Sequence, residues 1–334
     1  MTSLSPTSMP EVTLQPGRPP VLGADPSGDA AGWVAEHSAA LRAAVAEHGS
    51  LLVRGLGLGD ADQAGDVFRS LAEPLMAERE AFAPRQTYSE NVYSSVKWPA
   101  NQPMCMHHEL SYTRESPGLM LFACLRAPAT GGATAVADSA AVLEALPREL
   151  VERFEKEGWL LTRSYNDEIG ASFAEAFGTE DPRAIEDYCR ANAIQTSWQS
   201  DGSLRTSQRR SAVVVHPVSG VRCWFNQVAF LNEWTLDPEV REFLVEVYGT
   251  EGLPFNTRFG NGEPIGEDVV RLLNEVYDAH TAREPWQAGD LMLVDNVRSA
   301  HSREAFEGAR EVVVAMADPV RVAGWPATTE AGSR

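Results

Sequence analysis

Short apolar segments at residues 50–54, 119–125, 290–295 and 311–317 constrain this chain more than any other feature. They are too short for helices and fall far below the roughly 18 apolar residues needed to cross a bilayer, so they read as buried strands. Between them, helical spacing recurs over residues 32–48, 60–75, 182–191, 238–249 and 267–280. Two more helices start near Ala140 and at Pro147, the second running towards Gly158, and residues 211–216 and 222–230 form a hairpin around Pro217, Ser219 and Gly220. Strands and helices thus alternate irregularly, with a β-rich centre and no fixed repeat. That pattern fits an α+β chain with a distorted jelly-roll core and outer helices, and it leaves a mixed sandwich open.

Residues 1–25 are rich in Pro, Ser, Thr and Gly and carry neither the basic start nor the apolar centre of a secretory signal. They read as a flexible tail on a cytoplasmic protein, followed by one domain over residues 26–320 and a second tail over 321–334. Residues 81–102 are polar and aromatic between prolines, a composition suited to a lid in which Tyr93, Ser94 and Trp98 cover a ligand. A formal charge of −19 argues against nucleic acid and anionic membranes as partners. It leaves room for a small anion, because distant charges are screened over roughly 8 Å. Cys105, Cys124, Cys189 and Cys223 show no CxxC pair and read as reduced thiols.

The chemistry-bearing text is Met106-His107-His108-Glu109-Leu110-Ser111-Tyr112. On an extended chain, residues i and i+2 share a face, so His107 and Glu109 converge while His108 points away. His301, beyond the strand ending at Asp295, is the natural third ligand. Two imidazoles and one carboxylate on one face of a metal leave open positions, as iron(II) oxygenases need; a catalytic zinc would accept the same set. Arg310 opens an apolar strand nine residues after His301 and offers a rigid fork to a small dicarboxylate. Gly131-Gly132-Ala133-Thr134 adds a turn of close approach and a hydroxyl. A basic cluster of Arg205, Arg209 and Arg210 could read a substrate carboxylate or a carrier phosphopantetheine, and Asn226 could line the pocket with an amide.

These motifs occur in one order with Leu204-Arg205-Thr206, His216-Pro217, Trp224-Phe225-Asn226-Gln227, Trp286-Gln287-Ala288-Gly289-Asp290 and Asp295-Asn296. In that order the sequence resembles the clavaminate-synthase-like branch of the taurine dioxygenase superfamily from about residue 49 to 318, and within it the syringomycin-biosynthesis aspartyl-hydroxylase-like subgroup. The resemblance implies a double-stranded β-helix, iron(II) at His107, Glu109 and His301, and O2 and 2-oxoglutarate as cosubstrates. It further implies that Arg310 holds the distal carboxylate with help from Thr134. Related halogenases carry a small residue in place of the carboxylate ligand, so Glu109 favours hydroxylation of an amino acid or its derivative, free or carrier-tethered. Desaturation, cyclisation or C–C cleavage use the same cofactor, and a non-catalytic metal- or ligand-binding barrel is the reading from another class. His108 stands where the subgroup is expected to carry Asn.

Overall fold

The computed structural model describes residues 11–324, apart from Pro84 and Asp167. The apolar segments form the middle of an eight-stranded sheet, where Ser50–Arg54, Leu291–Asp295, Ser116–Arg126 and Glu311–Val320 lie side by side in that order, each antiparallel to the next. Their apolar character is nearly continuous because both faces of this sheet are covered. Leu119, Leu121, Leu291, Leu293, Val313 and Ala315 face outward under the helices Ala30–His48 and Ala61–Leu71. The alternate residues Met120, Phe122, Met292, Val294, Val312 and Val314 face the other way into the main core. Each fully buried Leu or Val here contributes about 1.5–3 kcal/mol.

A second sheet of four strands closes the jelly roll from the opposite side, in the order Thr281–Ala282, Thr134–Asp138, Ser299–Arg303, Met104–His107. Met104, Met106, Ala135, Ala137 and Ala300 share its core with Met120 and Phe122 of the large sheet. Beside this barrel, Gln195–Trp198, Leu204–Arg210, Trp159–Tyr165 and Phe255–Phe259 form a further sheet. Sequence reading did not separate these strands, since Arg163, Thr206 and Gln208 occupy buried positions that an apolar pattern would have marked.

Several expected boundaries shift. Val12–Thr13 and Val21–Gly23 extend the large sheet, with Val21–Gly23 parallel to Ser50–Arg54 and Leu22 fully buried, so the expected tail boundary at residue 25 falls inside the fold. Two or three residues are too few to show a period. At the other end Ala323–Gly324 pairs with Val213–Val215; residues 1–10 and 325–334 of the expected tails lie outside the described residues. The helix expected over residues 60–75 stops at Leu71, where Ala72 turns extended two residues ahead of Pro74, although Leu75 remains buried. The hairpin is shorter than expected, Val213–Val215 with Arg222–Trp224. Among the described residues no helix is long and apolar enough to cross a membrane.

Candidate active site

The register between Met104–His107 and Ser299–Arg303 sets His107 directly opposite His301. Glu109 arrives differently from the expected i, i+2 strand geometry. The strand ends at His107 and the chain turns, with Leu110 at φ 50° and Ser111 N–H donating to His108 O at 3.3 Å. Asn296 fixes that turn: Glu109 N–H donates to Asn296 Oδ1 at 2.8 Å, and Asn296 Nδ2 donates to the carbonyls of Glu109 and Pro117, both at 2.9 Å. Gln227 Nε2 adds a 2.6 Å bond to His108 O. The result is a buried His107, Glu109, His301 cluster whose potential ligand atoms all lie within 4.8 Å of one another.

Asn296→Ala removes these bonds and leaves buried backbone groups unpaired, each at about 1–3 kcal/mol. We expect a loss of about 3 kcal/mol in denaturant unfolding and a drop in divalent-metal affinity of about 10- to 100-fold, as for other residues that orient a ligand.

The donor set suits a divalent cation. His107 Nδ1 lies 2.8 Å from Cys105 O, which assigns the proton to Nδ1 and leaves the Nε2 lone pair free. His301 Nε2 lies 3.8 Å from Glu109 Oε2. Phe230 stacks on His107 at 4.5 Å between centroids, and Phe122 meets the His301 ring edge-on at 5.2 Å, so both imidazoles are wedged. Burial and the neighbouring His301 push His107 down to about 3, keeping it neutral. Burial pushes the Glu109 carboxyl up, but the Arg85 guanidinium and the imidazoles of His301 and His107 outweigh it and hold it well below the usual carboxylate range. Neutral imidazoles and an ionised carboxylate are the forms that bind metal.

His108 points away from this cluster, as expected. It is fully buried, with Nδ1 2.6 Å from Asn296 O and Nε2 3.1 Å from Ser139 Oγ, and so ties the ligand turn to the segment that leads to His301. Burial lowers its pKa to about 4 against the hydrogen bond to Asn296. An unfolded histidine titrates near ~6.5, so between these values the unfolded chain binds the extra proton. The stability carried by neutral His108 is therefore complete above about pH 6.5 and lost as pH falls towards 4, about 3 kcal/mol in all. Urea unfolding of the metal-free protein at pH 7 and pH 4.5 measures this, and His108→Asn should show a shallower dependence.

A cavity opens between the two sheets, walled by Met104, Phe122, Val312 and Val314, with His107, Glu109 and His301 on one side. Arg310 and Thr134 line the same cavity. Arg310 Nε donates to Gly132 O at 2.9 Å and its Nη2 lies 3.4 Å from Thr134 Oγ1. The paired glycines permit this packing. Gly132 sits at φ 71°, and a Cβ there would fall 2.8 Å from Pro128 Cγ and 3.2 Å from Arg310 Cδ. Three guanidinium groups, of Arg85, Arg303 and Arg310, against one carboxylate make this cavity locally cationic in an acidic chain.

The expected substrate residues lie elsewhere. Arg205 is exposed, because alternation along Leu204–Arg210 turns Leu204, Thr206 and Gln208 inward and Arg205 and Arg209 outward. Arg210 is spent on the carbonyls of Tyr112 and Asn192. Asn226 is buried and donates to Ala212 O, so the neighbouring Gln227 is the residue of that motif that reaches the site's support. Tyr93 and Ser94 belong to Val92–Ser94, an added strand of the large sheet; the Tyr93 hydroxyl accepts from Glu78 N–H and Ser94 Oγ accepts from Gln86 N–H. Ser95 and Val96 face the cavity instead. Trp98 packs near Phe230, and its carbonyl, with those of Pro99 and Gln102, is held by Arg303. Sequence reading missed Arg85, Arg303 and Phe230, for which no motif or period gave a signal.

The model of the family described as taurine catabolism dioxygenase TauD, TfdA family matches residues 14–316. The dapdiamide synthesis protein DdaC of Enterobacter agglomerans is 35% identical over 276 residues, 83% of this chain and 84% of its own. A clavaminate synthase-like protein of Arabidopsis thaliana is 27% identical over 284 residues, covering 81% and 82%. A crystal structure of a taurine dioxygenase from Burkholderia xenovorans shares the fold with a TM-score of 0.53 at 15% identity, over 96% of this chain and 92% of its own. A family match over nearly the whole described chain, joined to a buried two-histidine, one-carboxylate cluster, places this protein in the TauD/TfdA family of iron- and 2-oxoglutarate-dependent dioxygenases.

Proposed function

We propose that this dioxygenase hydroxylates an unactivated C–H bond of an amino-acid-like small molecule in the biosynthesis of a specialised metabolite. His107, Glu109 and His301 hold iron(II), and Arg310 with Thr134 holds the distal carboxylate of 2-oxoglutarate. The observation that carries this reading is the seating of Arg310 and Thr134 in the same cavity as the buried cluster, with Thr134 on the strand next to that of His301 and Arg310 just ahead of Glu311–Val320 in the facing sheet. The 35% identity to a dapdiamide synthesis protein supports the biosynthetic setting.

When bound, iron(II) with 2-oxoglutarate and O2 supplies a two-electron oxidation, in which the keto acid leaves as succinate and CO2 and one oxygen atom enters the substrate. The chain's own part is placement. Arg310 fixes the cosubstrate by its far end, which orients the keto acid end towards the cluster. Phe122, Phe230 and Met104 keep water from the cluster, and the backbone bonds of Asn296 hold Glu109 in place. Val96 and Ser95 at the cavity wall are among the groups that would shape substrate fit.

Purified protein supplied with iron(II), ascorbate and 2-oxoglutarate is expected to release succinate faster when the right amino acid is added, and the product should gain one oxygen. Offering each amino acid both free and as a phosphopantetheine thioester separates the two substrate forms. Loss of two hydrogens in place of a gained oxygen would replace hydroxylation by desaturation or cyclisation. Absence of succinate with every substrate, despite bound metal, would leave the non-catalytic barrel as the better account.

A further inference from the structure

Arg85 extends its guanidinium between two carboxylates, with its side chain only 4% exposed. Its Nη2 donates to Glu109 Oε1 at 3.0 Å. On the other side its Nε lies 3.0 Å from Glu78 Oε1, an ionic contact out of hydrogen-bond alignment. The two oxygens of Glu109 are therefore divided: Oε1 is taken by Arg85, and Oε2 is the one turned to His301.

That division matters because a carboxylate can meet a cation through one oxygen or two, and the second contact consumes a coordination position. A keto acid chelating through two atoms, together with O2, needs all three positions that a three-ligand face leaves. A charge-assisted hydrogen bond in a dry setting is strong enough to keep Oε1 engaged. Glu78 holds the guanidinium from behind, which stops it from moving on towards the cluster.

We infer that Arg85 positions Glu109 as a one-oxygen metal ligand, holding Oε1 aside so that the positions required by the keto acid and O2 stay open. The inference rests on the reading of His107, Glu109 and His301 as the metal ligands. Arg85 is also a cation beside the metal position, so its two effects on ligands differ in sign. It opposes the binding of a bare divalent cation and favours the binding of a dianion.

Opposite signs make the test specific. The full chain, metal-free, is compared with Arg85→Gln and Arg85→Lys by Mn(II) titration followed by electron paramagnetic resonance, and by 2-oxoglutarate titration of the anaerobic Fe(II) protein followed by its visible charge-transfer band. Arg85→Gln is expected to bind Mn(II) as tightly as the parent or more so, and to bind 2-oxoglutarate about 10-fold or more weakly. Arg85→Lys, which keeps the charge and a donor, should fall between the two, and it carries the test alone if Arg85→Gln does not fold. Metal and 2-oxoglutarate affinities falling together would show a strut whose loss disorders the site, and unchanged 2-oxoglutarate affinity would show that Oε1 needs no holder; either result overturns the inference. A parent that binds no Mn(II) overturns the metal-centre reading itself.

Discussion

Glu109→Ala is expected to abolish succinate formation and to weaken divalent-metal binding by about three orders of magnitude, well beyond the roughly 10- to 100-fold typical of losing a residue that only orients a ligand. Glu109 supplies the sole negative charge in the cluster, and the residues left behind are two imidazoles beside the cation of Arg85. A cation entering that site meets repulsion with no anionic ligand to offset it. The same substitution is expected to destabilise the metal-free protein. Breaking a buried ion pair by removing one partner costs about 3–5 kcal/mol, and retention of Glu78 on the far side of Arg85 puts the expected value near the lower end, about 3 kcal/mol. Mn(II) titration and urea unfolding measure the two effects separately. A variant that binds metal within about tenfold of the parent would show that Glu109 is not a ligand.

The opposite outcome is expected for residues that the sequence alone singled out around the substrate. Arg205→Ala should leave succinate formation unchanged, since its side chain is solvated. The contrast shows which parts of this chain can be read without a structure. Strands buried on both faces are legible because their middle residues form an unbroken apolar run, as at residues 119–125 of Ser116–Arg126, and strand alternation is legible once the strand is known. His107 and His301 were legible because so few residue types bind iron and because the order of motifs around them resembles a family.

Other features fail for physical reasons. Leu204–Arg210 was not seen as a strand, because its inward positions Thr206 and Gln208 are polar and find partners inside the fold, such as the 3.0 Å bond from Gln208 Nε2 to Glu80. Without the strand there was no period to show that Arg205 faces water. Arg85 could not be found at all, since its role depends on a contact to Glu109 that is 24 residues away in sequence and carries no periodic or motif signal. Residues 81–102 have the composition of a lid, but the same polarity serves an added strand at Val92–Ser94 and the carbonyl contacts with Arg303.

Arg310→Met is expected to raise the 2-oxoglutarate concentration needed for half-maximal turnover by about two to three orders of magnitude, with Mn(II) binding intact. Truncating one partner of a buried, hydrogen-bonded charge pair costs about 2–5 kcal/mol, and each 1.4 kcal/mol is about a factor of ten. Burial and the nearby Arg303 lower the Arg310 pKa to about 10, so the group stays protonated at neutral pH yet sits where its charge is poorly solvated. Among the described residues only one of its N–H groups has a close partner, Gly132 O at 2.9 Å; the contact to Thr134 is long at 3.4 Å. A guanidinium held in this state gains most from an arriving carboxylate, so 2-oxoglutarate should raise the thermal midpoint of the parent and not that of Arg310→Met. Thr134→Val, which removes a hydroxyl and no charge, should cost about tenfold. If Arg310→Met instead keeps its 2-oxoglutarate affinity, the distal carboxylate lies elsewhere in the cavity.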